Sequence, residues 1–189
     1  MEWRTWNVRR TLSVVTTIPS LQPPYSLALG HAWLWAKACE VPAARLLGDG
    51  FGLPDALLLL VALRNVRRAA ELAGKSLTKP EAQQHLADAL SKFDAALPGL
   101  KEARDVIEHL DEYAIGVGTE QKKLQAATPS LTTAELAARY ALRLEGTYNE
   151  PIVRVGPHSI EAIKVPGAAG WLFEGIRAAV YAEQGHKSL

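Results

Sequence analysis

Apolar residues recur at helical spacing over most of the chain, and this period predicts an α-helical bundle. From Ser26 the pattern runs through Leu29, Trp33 and Ala36, and Pro42 is expected to close or kink this first helix. Gly48-Asp-Gly-Phe-Gly52 reads as a connecting loop. Pro54 suits the first turn of a second helix, Asp55 is well placed against its dipole, and Gly74 suits its end. Thr78-Lys-Pro-Glu81 has the spacing of a capping box and predicts a third helix to about Ala96. Beyond Pro98-Gly99 a fourth, continuous helix is expected from Leu100 to Ile115, stopped by Gly116-Val-Gly118.

After Leu131 the period shortens. Tyr140–Thr147, Ile152–Val155 and Ser159–Val165 predict three short strands with turns at Asn149-Glu-Pro151 and Gly156-Pro157. Pro166 opens a last helix through Trp171, Leu172, Ile176 and Val180. The expected fold class is mainly α: a bundle of about four to five helices, with a small antiparallel meander at about 140–165 before the C-terminal helix. Residues 1–24, with Trp3, Trp6 and Pro23-Pro24, read as an extended arm; 25–184 as a single helical domain carrying the β insertion; and 185–189 as a loose tail. Trp33, Trp35 and Trp171 are expected as core or subunit contacts, and Trp3 and Trp6 as contacts exchanged with a partner subunit.

At 189 residues the chain can enclose one full core, and 48% apolar with 22% charged residues is a soluble, globular balance. The net charge of +1 supplies no global field for a polyanion, so any RNA site must rest on a local patch. Cys39 is the only cysteine, which excludes an intramolecular disulfide and fits a reducing cytoplasm; its apolar helical setting predicts a buried, inert thiol. The apolar run Ala56–Leu63 is too short for a membrane span and ends in Arg64, and the threonine-rich stretch after Arg9 and Arg10 does not read as a signal peptide. No membrane partner, metal or cofactor is expected: His31, His85, His158 and His186 are scattered, and no nucleophile-elbow or phosphate-loop pattern is present.

The candidate chemistry is concentrated in Arg104-Asp-Val-Ile-Glu-His109-Leu-Asp-Glu-Tyr113. A permanently charged guanidinium and an imidazole that titrates near neutrality are the groups that cleave a phosphodiester without metal. On a straight helix Ala103, Val106, Ile107, Leu110 and Ala114 form the core arc, while Arg104, Asp105, Glu108, His109 and Tyr113 share the polar arc. Arg104 and His109 then stand about 140° apart, so a second copy of the helix across a dimer axis is expected to bring them to one phosphate. Asp105, one turn before His109, is placed to orient its ring, and Tyr113, one turn after, to contact a phosphate or stack on a base. Arg64, Arg67 and Arg68 recur on one side of the second helix as a candidate RNA-binding patch, with ion pairing to Glu71 as the plainer alternative.

The Arg104-x4-His109 spacing on a helix resembles the HEPN superfamily (higher eukaryotes and prokaryotes nucleotide-binding), over roughly residues 26–115. The resemblance implies a homodimeric, metal-independent endoribonuclease of toxin or defence type that leaves a 2′,3′-cyclic phosphate, with RNA as substrate and an antitoxin or other protein as partner. It implies catalytic work for Arg104 and His109, assisted by Asp105 and Tyr113. The chain departs from the family in placing Asp111 where a tyrosine often follows the histidine, and in crowding Asp105, Glu108, Asp111 and Glu112 around the motif. The strands at 140–165 match no part of the family pattern. The alternative is a catalytically silent helical dimer that binds protein or nucleotide, with Arg104 paired to Glu108.

Overall fold

The structure, a computed structural model, describes residues 21–48, 52–147 and 149–185. The arm carrying Trp3 and Trp6, the loop residues 49–51, and the tail from 186, His186 included, lie outside the described residues. The chain is mainly α, with a three-stranded antiparallel sheet before the last helix, as the sequence pattern predicts.

A long hairpin forms the centre: α1 (Tyr25–Leu47) packs along α2 (Leu53–Gly74). Pro42 does not close α1, which continues through it for another turn. The proline is buried beside Cys39, Ala43 and Leu46, and packing against α2 outweighs the lost backbone hydrogen bond. α2 follows the expected logic, with Pro54 in its first turn and a buried face of Leu59, Leu60, Leu63 and Val66. Asp55, buried at its start, is matched by Arg45 of α1 at 3.4 Å.

α3 (Pro80–Ala96) does not use the predicted capping box. The Thr78 hydroxyl instead donates to Glu183 at 2.6 Å, and the same carboxylate accepts from the Thr78 and Lys79 backbone N–H groups at 2.9 Å each. Glu183 belongs to α8 (Val165–Gln184), which lies against α1, α2 and α3. The start of α3 is thus capped from across the fold. The contact between α3 and α8 is close enough that a Cβ on Gly175 would stand 2.1 Å from the Cβ of Ala89.

The strands β1 (Leu142–Thr147), β2 (Glu150–Val155) and β3 (His158–Glu161) are ordered 1-2-3, with Leu144 opposite Val153 and Val153 opposite Ile160. Their inward side chains Val153, Val155 and Ile160 are fully buried and join the helical core. Tyr140, expected in the first strand, precedes it, and the third strand ends earlier than expected in a 3-10 turn at Ala162–Lys164. Cys39 is buried, and burial pushes its thiol up to about 12, so it stays protonated. Trp33 and Trp171 are not core: each leaves about half its surface exposed.

Candidate functional site

The motif helix differs from the expectation in one decisive respect. It breaks at His109, whose backbone leaves the helical region at φ −112° and ψ 35°. The result is α4 (Leu100–Glu108) followed by a single turn, α5 (Leu110–Ala114). The straight-helix wheel therefore fails past the break. Leu110, placed in the core arc, is exposed, and Tyr113, placed in the polar arc, is only 5% exposed.

The physical reason lies in what receives Tyr113. Its ring rests against Gly118, where a Cβ would come within 2.7 Å of it, and its centroid lies 5.1 Å from that of Tyr140. The Glu120 backbone N–H donates to its hydroxyl at 3.3 Å. Gln121, fully buried on α6 (Thr119–Ala127), locks the same corner. Its amide oxygen accepts from Gly118 N–H at 2.8 Å, and its amide nitrogen donates to the Tyr113 and Leu136 carbonyls at 2.9 Å each. Leu136 lies on α7 (Thr133–Arg139). Seating an aromatic ring and satisfying these polar groups offsets the exposure of one leucine.

Arg104 and Asp105 stay at the surface of α4, but they engage each other. Arg104 Nε donates to Asp105 Oδ1 at 3.0 Å and lies 3.9 Å from Glu108. The expected Asp105–His109 contact is not formed; the nearest acid to His109 is Glu112, at 3.5 Å from Nδ1. The His109 side chain is 59% exposed.

From α2, Arg64 reaches Glu108 in an ion pair whose geometry is not that of a hydrogen bond. Two of the arginines singled out in the sequence, Arg64 and Arg104, therefore meet at one carboxylate beside His109. Arg67 turns away, to Asp94 of α3 at 3.1–3.2 Å and to Glu71 at 2.6 Å. These acids raise its pKa further and commit it to structure. Arg68 is exposed, and no ion pair to it is formed among the described residues.

A second cluster escaped the sequence reading. His158 Nε2 lies 3.1 Å from both carboxylate oxygens of Glu120, bringing β3 and α6 together. Burial, the Glu120 charge and a hydrogen bond to that carboxylate push the Tyr140 hydroxyl up to about 12, and burial raises Tyr113 as well. The cluster seats α5 on the rest of the fold, and its groups are too distant along the chain for spacing to reveal.

Among the described residues no group of three His, Cys, Asp or Glu is placed to hold a metal ion, and no helix is long and apolar enough to cross a membrane. Two shallow grooves flank the start of α8, one lined by Ile163, Gly167 and Trp171 and the other by Trp33, Gly170 and Phe173; neither includes a motif residue. Neither a family model, nor a curated protein, nor a solved structure matches this chain.

Proposed function

We propose that the chain is a homodimeric, HEPN-like endoribonuclease of the cytoplasm, cleaving RNA without metal to a 2′,3′-cyclic phosphate, with an antitoxin-like protein as its natural restraint. The observation that carries this reading is the exposed imidazole of His109 at the kink between α4 and α5, next in sequence to the Glu108 carboxylate where Arg64 and Arg104 meet. In the proposed reaction His109 takes the proton of the ribose 2′-OH as that oxygen attacks phosphorus, and a second His109 returns a proton to the departing 5′-oxygen. Arg104, with Arg64 behind it, stabilises the charge that grows on the phosphoryl oxygens.

A catalytically silent dimer that binds protein or nucleotide is the second reading, favoured by a specific observation. Arg104 is neutralised by Asp105 and Glu108, and Asp111 and Glu112 follow directly, so the local field opposes a polyanion.

The test is cleavage of an RNA pool in EDTA by wild type, His109→Ala and Arg104→Ala, each shown folded by thermal melting. The expected loss is on the order of 10²–10⁴ in rate for either variant. Mixing the two variants should restore no activity, because the proposed site draws on both copies of His109 and a mixed dimer holds only one. Equal cleavage by all three proteins gives the chain to the second reading.

A further inference from the structure

The outward surface of the α1–α2 hairpin is apolar where a surface helix is ordinarily polar. On α1, Leu27, Leu34 and Val41 repeat at seven-residue intervals, and each is 52–55% exposed. On α2, Leu57, Leu58 and Val61 are also exposed, Leu58 by 55%. The two sets approach one another at the loop end of the hairpin, where Arg45, one turn beyond Val41, reaches Asp55 at the start of α2. The opposite edge of α1, with Trp33, Lys37 and Glu40, faces α8 across the groove described above.

We propose that this face is where a second copy of the chain docks. The inference rests on the homodimer in the functional reading, but not on its chemistry.

The size of the face fits this occupant. The six side chains leave on the order of 500 Å² of apolar surface in the open, at the upper end of what a monomer carries. A standard interface buries about 800 Å² per partner, a little over half of it non-polar, or about 450 Å². Charge also favours self-association. The flanking Lys37 and Glu40 form their own ion pair at 2.7 Å, and a chain of net charge +1 meets almost no repulsion from its copy. A lipid-binding face would instead be rimmed by several unpaired lysines and arginines; Lys37 and Arg45 beside this stripe are paired with Glu40 and Asp55, which leaves Arg68, further along α2, as its unpaired cation among the described residues.

The site and the face are continuous. Leu57, Val61, Arg64 and Arg68 lie on one ridge of α2 at helical spacing, apolar in its first half and basic in its second. Docking over the apolar half leaves the basic half, and the Arg104–His109 edge that Arg64 touches, at the rim of the contact.

The test is the mass of the full chain by sedimentation or light scattering across a micromolar range, for wild type, Leu34→Asp, Leu58→Asp and, as a control, Ile163→Asp on the 3-10 turn, an exposed apolar residue outside the proposed face. Wild type and the control should show twice the chain mass of 20.5 kDa. The two interface variants should be monomeric, or weaker dimers by roughly 30-fold or more. Circular dichroism confirms folding, and Leu34→Ala, expected to weaken the dimer to a smaller extent, serves if an aspartate variant does not fold. A wild type that is monomeric throughout overturns the inference, as does a dimer indifferent to Leu34 and Leu58. A dimer broken by Leu34→Asp in a protein whose RNA cleavage is the same with and without His109 upholds the interface while ending the nuclease reading.

Discussion

Arg64 of α2 is ion-paired with Glu108 of α4, and this contact ties the motif helix to the central hairpin. Neither partner is deeply buried, so the pair contributes on the order of 1 kcal/mol or less to stability. Its larger effect is electrostatic. Glu108 neutralises Arg64 and draws on Arg104, two cations that a phosphate would otherwise meet. Glu108→Gln should therefore tighten RNA binding by about 3–10-fold at low salt while shifting the melting temperature by only about a degree or two. Filter binding and a thermal melt measure both; weaker RNA binding by the variant would mean that the arginines need Glu108 to hold them in position.

Arg68 is expected to act as a plain phosphate contact. Arg68→Ala should weaken RNA binding several-fold at low salt and reduce the slope of log affinity against log salt by about 0.7, the value for one single-strand phosphate contact. An unchanged slope in a salt titration would remove Arg68 from the interface.

Two glycines of α8 should respond in opposite directions. Gly175→Ala forces a methyl group into Ala89 across the α3–α8 contact and should cost about 1–3 kcal/mol. Gly170 lies within the same helix with nothing inside 4 Å of its Cβ position, so Gly170→Ala should stabilise by about 0.5–1 kcal/mol. Denaturant unfolding of both variants gives the comparison directly.

The cap on α3 should be visible in the pH dependence of stability. Hydrogen bonds from Thr78, first from its side chain, and from the Lys79 backbone hold the Glu183 carboxyl below its ordinary value of 4.5. A depressed folded pKa means that the unfolded chain takes up the proton first as pH falls. The contribution is thus complete above 4.5 and is lost as pH drops through the folded value. Glu183→Gln should be less stable at neutral pH and lose less on acidification, so the two unfolding curves converge as pH falls below 4.5 and through the folded value. Parallel curves would show that Glu183 does not cap α3.

The sequence made legible the features written locally. Pro54, Gly74, Pro80, Pro98-Gly99 and Pro166 bound helices much as their backbone chemistry requires, and β-branched alternation located the sheet. Features set by distant partners were not legible. The break at His109 depends on Gly118, Gln121 and Tyr140 receiving Tyr113, and nothing in residues 100–115 announces it. Thr78 has a capping-box neighbour in Glu81, yet it uses Glu183. The short helices α6 and α7 were missed because they bury little more than Gln121 and Leu136, too few positions to generate a period. Of the candidate site, the sequence supplied Arg104, His109 and Arg64, but it hid their junction at Glu108 and the structural employment of Tyr113.

The reach of Glu183 to Thr78, 105 residues earlier in the chain, has a consequence for the order in which the protein is made. At about 5–20 residues per second, a ribosome needs roughly 5–20 s to travel from the start of α3 to the residue that caps it. A small domain closes its contacts in far less time than that. Throughout that interval the first turn of α3 must wait with its N–H groups facing water, and the face that α8 will cover, Ala89 included, stays open. The nascent chain is thus obliged to hold a half-finished bundle until its last helix emerges, and that is the stage at which a chaperone, or a partner built to capture α3, would find it.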